Sequence, residues 1–398
     1  MNGGSISRAA SGSGLIQGRR KQLPLTCNQS PGTHNLQAAY RWLCKAQDVT
    51  GDGGVAAWYH LFRGWASSYP ETTGYIIPTF LACATVLAEQ EARNRAIKMA
   101  DFECTFQLPS GAVRAGQVRT RSAPAVFNTG QVLFGWVAAY QATCNQRYAD
   151  AATRAAEWLI RGQDDDGAWR KDLSSLTTST VQTYNVRSAW GLALAGQLFG
   201  EPRWIKAARE NCDWALGQQL DNGWFANDTF RAGENPLLHT IGYTLEGLLG
   251  VGESLGEQKY IEAVERGVSP LVRMLIESKA LKGRYDTNWR PTVRWRCPTG
   301  EAQLAVVLAR LHRHVPNQPF AEVIPEILNQ LSSIQGTAGS RPEIRGAIPG
   351  SRPCWGLYCP FKYVNWAVKF YIDALLLHLF QADVQNPTTQ VSARERMK

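Results

Sequence analysis

Two side chains that can exchange protons, His239 and Tyr243, stand four residues apart at the start of an apolar segment. If that segment is a helix, the spacing puts both side chains on one face, within reach of a common ligand. Such a pair suits proton abstraction next to a carboxylate, in which Tyr or His moves the proton while Asn and Arg neutralise the acid. We therefore predict acid–base catalysis here. A histidine bonded to a neighbouring helix for structural reasons is the alternative.

A carboxylate, Glu71, is the second acid–base candidate. It lies in the sequence YPETTG, where it could act opposite Asp52 or Glu301 or simply cap a helix. Polar and aromatic residues at comparable positions are candidate substrate ligands, through charge, hydrogen bonds or stacking on sugar rings. These predicted binding residues are Asn128, Asn185, Arg187, Trp289, Arg294, Arg296, Glu301, Trp355 and Asn365. Helix capping and core packing would explain any single one of them equally well.

Metal and nucleotide signatures are weak in this sequence. His312 and His314 have no accompanying cluster of metal-ligating residues. The sequence also has no convincing Walker A motif or dinucleotide-binding fingerprint. The acidic run from Asp164 to Asp166 is similar to motifs that protonate or ionise isoprenoids, but it ends an amphipathic segment and leads into a glycine turn. A solvated turn is the favoured interpretation of that run. We predict no metal site and no cofactor.

The charge balance of the chain favours an anionic partner. Its 398 residues carry 42 Lys and Arg against 33 Asp and Glu, a formal net charge of +9. The markedly basic run from Arg19 to Lys21 lies in a Gly- and Ser-rich leader without alternating aromatic residues, which is weak evidence for nucleic acid. The apolar run from Phe370 to Phe380 is about half a membrane span and contains Asp373 and His378. We predict an acidic oligo- or polysaccharide as partner, no nucleic acid and no membrane insertion.

The nine cysteines favour a reduced, cytoplasmic compartment. They include no Cys-x-x-Cys pair, and their number is odd. Several lie among apolar residues of predicted helices, where free cysteine behaves as a small hydrophobe. The Arg-Arg pair of the leader is not followed by an apolar stretch of signal-peptide length.

A short turn recurs six times along the chain, with Gly after a mostly polar residue and an apolar or aromatic residue soon after. The first glycines of these turns are Gly53, Gly111, Gly167, Gly223, Gly283 and Gly346. Successive turns are therefore 56 to 63 residues apart. Six turns at nearly one period indicate an internal repeat.

Each turn lies between two helix-like segments of different character. The segment before it is amphipathic, as in AATRAAEWLIRGQ, and the one after it is more apolar, as in NTGQVLFGWVAAY. The more apolar helices should be buried inside a ring of amphipathic ones. The pattern predicts an all-α fold, a single (α/α)6 toroid of six helical hairpins over residues 34–383. Residues 1–33 would form a disordered basic leader and residues 384–398 a flexible tail.

The starts of the inner segments are themselves in register, and Gly74, Gly130, Gly242 and Gly300 recur there. Glycine in a first helical turn costs about 1 kcal/mol against alanine, so close approach of neighbouring helices is the expected reason. Six inner helices that run the same way bring six N-termini to one mouth, where unpaired N–H groups and helix dipoles favour an anion. We place the candidate site at that mouth.

One turn resembles a family motif. Trp158, Gln163, Gly167 and Trp169 are similar to the QW repeat of terpenoid cyclases, with partial copies at Trp42 to Gln47 and Trp214 to Gln218. In that superfamily of α-α toroids, shared with protein prenyltransferases, the motif implies a structural clamp. The order of YPETTGY, NTGQ, HTIGYTLEG and the C-terminal GSRP to NWAV region also resembles bacterial proteins associated with exopolysaccharide biosynthesis. A single toroid and no Asp-x-Asp-Asp in an inner helix separate the chain from true terpene cyclases.

Together these features predict a carbohydrate-active enzyme that acts on an acidic glycan, as a lyase, hydrolase or epimerase, in polysaccharide biosynthesis or turnover. Association with the polysaccharide assembly machinery is a further expectation. An isoprenoid-handling cyclase or transferase is one alternative and would need an apolar aromatic cavity with one acidic proton donor. A non-catalytic glycan-binding assembly protein is the other, and would have aromatic residues without a perturbed acid–base pair.

Overall fold

Two kinds of helix alternate in the computed structural model, which describes residues 31–120, 122–174 and 177–381. In this described part, six helices bury one face and expose the other: α1 (Pro31–Asp48), α3 (Gln90–Phe106), α5 (Gln146–Arg161), α7 (Pro202–Leu216), α9 (Gln258–Ser278) and α11 (Phe320–Ser332). Six others are buried almost all round: α2 (Pro70–Val86), α4 (Val126–Thr143), α6 (Val186–Phe199), α8 (Leu238–Leu255), α10 (Pro298–Leu311) and α12 (Asn365–Phe380). Of the two helices on either side of each repeated turn, the more apolar one belongs to the inner set, as the sequence predicts.

The inner helices form a closed ring. Each packs against the inner helix before it and the one after it, and α12 packs against α2. This arrangement confirms the predicted all-α (α/α)6 toroid. Each inner helix also packs against the outer helix that follows it, and α12 packs against α1. The packed pairs are thus mostly joined by the short connections, which favour antiparallel neighbours, whereas the long loops that carry the repeated turns lead to the N-termini of the inner helices.

The ends of the predicted domain lie close to the limits of the described residues. Helix α1 begins at Pro31, three residues before the predicted start of the toroid at position 34. The rest of the predicted leader and the whole predicted tail lie outside the described residues.

Close approach of the inner helices explains the glycines of their first turns. A Cβ built on Gly74 of α2 would lie 2.5 Å from the Cα of Val132 in α4, and one on Gly130 of α4 would overlap the side chain of Ser188 in α6. Either methyl group would force two helices of the inner ring apart. The repeated glycines therefore set the spacing of the ring.

A glutamine clamp fastens the repeated turns to the outer helices. Gln163 Nε2 donates to the carbonyl oxygens of Gly167 (2.8 Å) and Ala207 (2.9 Å), which joins the end of α5 to its turn and to α7. Equivalent pairs of bonds are made by Gln47, Gln107, Gln219 and Gln335. The fourth clamp is therefore Gln219, one residue after the Gln218 of the motif resemblance. The Oε1 atom of Gln218 instead accepts a bond from Asn227.

Replacement of Gln163 by alanine should lower the free energy of unfolding by about 1–3 kcal/mol, because two partly buried carbonyl groups lose their donor. Denaturant unfolding followed by circular dichroism measures this loss. Gln258→Ala, at an exposed position at the start of α9, is the matched control and should change stability by about 0.5 kcal/mol or less. Equal stability of the two variants would show that the clamp is dispensable.

A small antiparallel sheet lies among the loops. Its strands are β1 (Trp58–His60), β2 (Gly64–Trp65) and β3 (Lys362–Val364), in the order β2-β1-β3. His60 pairs with Gly64 on one side and with Lys362 on the other. The sheet therefore joins the first long loop of the chain to the last one, beside the point where the ring closes.

The described cysteines, which exclude Cys27, are free thiols. Among the described residues, no helix is both long and apolar enough to cross a bilayer. The same residues contain no group of three or more His, Cys, Asp or Glu side chains placed to hold a metal ion.

Candidate active site

A cavity of about 930 Å³ lies at the mouth where the long loops meet the N-termini of inner helices. Three of its lining residues, Glu71, His239 and Tyr243, are the acid–base candidates of the sequence analysis. Many of the other lining residues are aromatic, namely Trp58, Tyr69, Phe127, Tyr184, Phe230, Trp295, Tyr358 and Trp366. The charged lining residues besides Glu71 are Arg231, Glu234, Arg284 and Lys362. The cavity thus combines stacking surfaces with a few polar groups, as small-molecule sites do.

Glu71 is a buried carboxyl group that titrates near neutral pH. It stands in the first turn of α2, and its Oε2 accepts a hydrogen bond of 2.6 Å from the Tyr69 hydroxyl. Burial raises the pKa of Glu71 to about 7, although Tyr69, the charge of Arg187 and Asn128 act in the opposite direction. A group with this pKa is present in both protonation states at neutral pH and can take up or give up a proton.

His239 is held as a neutral proton acceptor. Its Nδ1 lies 2.6 Å from Gln303 Oε1, and the Nε2 of the same amide lies 3.5 Å from a carboxylate oxygen of Glu246. Because the amide nitrogen must face the carboxylate, the amide oxygen faces His239, and Nδ1 carries the proton. Burial, with a further contribution from the charge of Arg187, lowers the pKa of His239 to about 3. The imidazole is therefore uncharged at neutral pH, and its Nε2 is free to accept a hydrogen bond.

Tyr243 completes this group on the next turn of α8. Its ring centroid lies 4.2 Å from that of His239 and 4.8 Å from that of Phe127. Burial and then the charge of Glu71 raise its pKa well above the ordinary value, so the hydroxyl stays protonated. Tyr243 is thus a protonated hydroxyl group in the same cavity as Glu71, a carboxyl group that can accept a proton.

Arg187 lies beneath the floor of the cavity and does not line it. Its Nε bonds Glu246 Oε2 at 2.8 Å, and its Nη1 bonds Gln131 Oε1. Its guanidinium carbon lies 5.1–5.5 Å from the ring centroids of Tyr75, Phe134, Tyr243 and Phe370. The charge of Arg187 is therefore already satisfied inside the ring, and its chief effect on the site is on the pKa values of the floor residues.

The other predicted binding residues also lie outside the lining of the cavity. Asn185 and Asn365 are buried and donate to Gln182 and to Ala56 and Thr72, respectively. Arg296 forms a two-bond ion pair with Glu301 at 2.7 and 2.8 Å, and Trp289 donates to the carbonyl oxygen of Asn222. Arg294 and Trp355 are exposed, and Asn128 is fully buried beside Tyr69 and Glu71. The structure therefore brings together the three acid–base candidates and separates them from most of the predicted binding residues.

Several lining residues carry no distinctive sequence signal. Tyr184, Phe230, Tyr358 and Trp366 resemble ordinary core aromatics in the sequence, and the course of the long loops alone brings them to the cavity. At the rim, Arg284 pairs with Glu234 at 2.7 Å, and Arg231 lies 3.8 Å from the same carboxylate. Two arginines thus share one acid, which leaves the rim positive.

Asp228 is a buried acid behind this wall. Its Oδ1 accepts a bond of 2.9 Å from the Thr244 hydroxyl, whereas Oδ2 is buried without a hydrogen-bonding partner among the described residues. Burial raises the pKa of Asp228 to about 8, although the Thr244 hydroxyl lowers it. The sequence does not mark Asp228 as a site residue, because one aspartate in a polar loop gives no sign of its burial.

Comparison with known proteins finds solved structures of the same fold. No protein-family model and no curated protein sequence matches the chain. An unsaturated glucuronyl hydrolase specific for heparin aligns with a TM-score of 0.67 and 17% identity over 87% of this chain and 96% of that one. The unsaturated glucuronyl hydrolase of Bacillus sp. GL1, responsible for the degradation of glycosaminoglycan, aligns with a TM-score of 0.66 and 13% identity over 87% and 97%.

A third similar structure belongs to a different enzyme class. Cellobiose 2-epimerase from Bacillus thermoamylovorans B4167 aligns with a TM-score of 0.64 and 11% identity over 86% of this chain and 98% of that one. At these identities the likeness establishes the fold of the described residues. The chain shares its toroid with hydrolases and epimerases of sugars.

Proposed function

We propose that this protein is a carbohydrate-active enzyme that transfers a proton at a sugar unit of an acidic oligosaccharide, as an epimerase or a lyase. The observation that carries the proposal is Glu71, a buried carboxyl group with a pKa of about 7, in the same cavity as the protonated Tyr243. The similar structures support it, because they include enzymes named for glucuronyl and cellobiose substrates. Fold alone does not fix an activity, so the proposal depends on the residues of the site.

The carboxyl groups of the cavity favour proton transfer over hydrolysis. Most glycoside hydrolases use two carboxyl groups that flank the scissile bond. Of the residues that line this cavity, Glu71 and Glu234 carry carboxyl groups, and Glu234 lies at the rim in an ion pair with Arg284. One free carboxyl group in the floor fits a single acid–base residue.

In the proposed mechanism, ionised Glu71 removes the proton from a sugar carbon next to a carbonyl or carboxylate group. The electron pair of the broken C–H bond moves into an enolate, and the Tyr243 hydroxyl donates to its oxygen. In an epimerase, a proton from solvent water then adds to the carbon from its other face, and Glu71 releases the first proton to solvent. In a lyase, the electron pair expels the neighbouring glycosidic oxygen, which takes a proton from Tyr243. His239 Nε2 accepts a hydrogen bond from a sugar hydroxyl and orients the ring.

The biological setting that we propose is polysaccharide biosynthesis or turnover in the cytoplasm, in association with polysaccharide assembly proteins. The order of the sequence motifs supports a role in polysaccharide biosynthesis or turnover. The free thiols of the described cysteines are compatible with the cytoplasm. An isoprenoid substrate fits the aromatic wall less well than a sugar does, because the floor and rim carry several polar and charged groups.

The test is a screen of acidic and neutral oligosaccharides with three readouts. Exchange of a sugar C–H for deuterium in D2O, followed by proton NMR, reports an epimerase. The ultraviolet absorbance of a new unsaturated uronyl end reports a lyase, and new reducing ends without that absorbance report a hydrolase. Exchange or elimination that requires Glu71 would support the proposal. Hydrolysis without exchange, or no turnover of any acidic sugar, would contradict it.

Tyr243→Phe should reduce turnover of a responsive substrate by roughly 10²–10⁴-fold while leaving stability nearly unchanged, because it removes one hydroxyl and keeps the ring contacts. Steady-state kinetics and thermal unfolding measure the two effects. Tyr371→Phe is the matched control, because Tyr371 is a buried tyrosine of α12 that does not line the cavity. Full activity of Tyr243→Phe would assign Tyr243 a packing role.

A further inference from the structure

A second cavity, here called the sheet groove, adjoins the candidate active site. It has a volume of about 370 Å³, and its lining includes Trp58, His60, Arg63, Trp65, Arg119 and Lys362. Trp58 and Lys362 also line the active-site cavity. The two cavities therefore share one wall, and a ligand that leaves the active site past Trp58 enters the sheet groove.

The sheet groove is strongly positive. Among the described residues, three cationic side chains line it, from Arg63, Arg119 and Lys362, and no Asp or Glu does. Within the described part of the chain, none of the three forms an ion pair, and Arg63 and Arg119 are exposed. Elsewhere on this surface arginines are commonly paired, as Arg284 is with Glu234. Unpaired cations that converge on a concave surface attract an anionic ligand.

The strands present the cations and an aromatic surface together. His60 and Lys362 are opposite each other in the pairing of β1 with β3, so their side chains lie on the same face of the sheet. Trp58, two residues before His60 on β1, lies on that face as well. The Lys362 ammonium group is 3.9 Å from the centroid of the Trp58 ring. The ammonium group thus lies over one face of the indole, where it offers a sugar carboxylate a counter-charge next to an aromatic ring.

We propose that the sheet groove is a subsite for a carboxylate-bearing sugar, a uronic acid unit of the same oligosaccharide whose reacting unit lies over Glu71. This inference rests on the proposed function and makes it more specific. The substrate is an acidic oligosaccharide that passes over Trp58. Arg63 and Arg119 bind the uronate carboxylate in the groove, and Lys362 stands at the junction of the two cavities.

The experiment compares Arg63→Gln/Arg119→Gln with Arg41→Gln/Arg273→Gln. Both double variants remove two exposed arginines, and Arg41 and Arg273 lie on the outer helices α1 and α9. Calorimetry measures the binding of galacturonate and mannuronate disaccharides and hexasaccharides, with cellohexaose as the neutral probe. We expect the groove variant to weaken hexasaccharide binding roughly tenfold to a hundredfold, to leave disaccharide binding unchanged and to reduce the salt dependence.

The outcomes separate this inference from the proposed function. If the wild type binds a uronate hexasaccharide and the groove variant binds it equally well, the subsite is refuted and the proposed catalysis stands. If binding falls only in the groove variant but no substrate is turned over, the subsite stands and the proposed catalysis fails. Equal loss of cellohexaose binding would refute recognition of the carboxylate. No binding of either uronate by the wild type would refute both proposals.

Discussion

Glu71→Gln is expected to lower kcat on a responsive acidic sugar by roughly 10³-fold or more, because the amide cannot take up the proton that the carboxylate removes. The pH dependence gives a sharper result. Since burial raises the pKa of Glu71 to about 7, the active ionised form is lost as pH falls below that value. The kcat/KM of the wild type should rise with pH and level off above about pH 7. In Glu71→Gln this dependence should disappear from the residual activity.

Glu103→Gln is the matched control for this measurement. Glu103 is a buried carboxyl group of α3 whose pKa burial also raises, with a further contribution from Asp52, but it does not line the cavity. Its variant should keep the kcat and the pH profile of the wild type. If Glu71→Gln retains the rise of activity between acidic and neutral pH, the titrating base is another group. If both variants lose activity equally, the effect is one of folding.

The part of the site that the sequence predicts is the part that the inner helices position. Glu71 and His239 stand in first helical turns whose register the repeated glycines fix, and Tyr243 follows His239 on the same helix face. Helix periodicity puts His239 and Tyr243 on one face of α8, and the closed ring brings the start of α2, with Glu71, to the same cavity. The same logic predicts the toroid, because it depends on repeat spacing and on the two kinds of helix.

Several predicted binding residues lie outside the lining of the cavity because tertiary packing pairs them with other side chains. Arg187 also stands at the start of an inner helix, but Glu246 and Gln131 from the two adjacent inner helices bind it below the floor. Arg296 and Glu301 are both polar residues near the mouth, and they bind each other. A sequence shows that a residue carries charge, whereas the position of the opposite charge depends on tertiary structure.

Among the described residues, two contrasting kinds of cation occur: buried ones that are paired inside the ring, and unpaired ones at the surface of the sheet groove. Arg187 pairs with Glu246, and Lys369 pairs with Asp373 at 2.5 Å, all four being buried. In each pair the positive and negative charges cancel within the inner ring, so the pair exerts little electrostatic attraction on a ligand. Any attraction of the proposed anionic sugar must therefore come from the rim and the sheet groove, where Arg63, Arg119 and Lys362 are unpaired in the described part of the chain.

Asp228→Asn is expected to stabilise the protein at alkaline pH. Burial raises the pKa of Asp228 to about 8, so the folded chain holds this proton more tightly than the unfolded chain, in which the pKa is about 4. Folding is therefore penalised progressively as pH rises from about 4 to 8, by about 1.4 kcal/mol per pH unit. Asparagine keeps an oxygen that accepts the Thr244 bond and cannot ionise, so the variant avoids the penalty.

Urea unfolding of Asp228→Asn at pH 5 and pH 8 measures this effect. The gain in unfolding free energy over the wild type should be about 1–2 kcal/mol at pH 5 and larger by about 3 kcal/mol at pH 8. Asp221→Asn, at an exposed position in the preceding turn, is the matched control. It should change the unfolding free energy by the same small amount at both pH values. A gain that does not grow with pH would contradict the burial of an ionisable Asp228. Burial also raises the pKa of Glu71, so ionisation of Glu71 likewise lowers the stability of the folded chain. The wild type should therefore be more stable on the acidic side of neutrality, below the pH at which its proposed base is fully ionised.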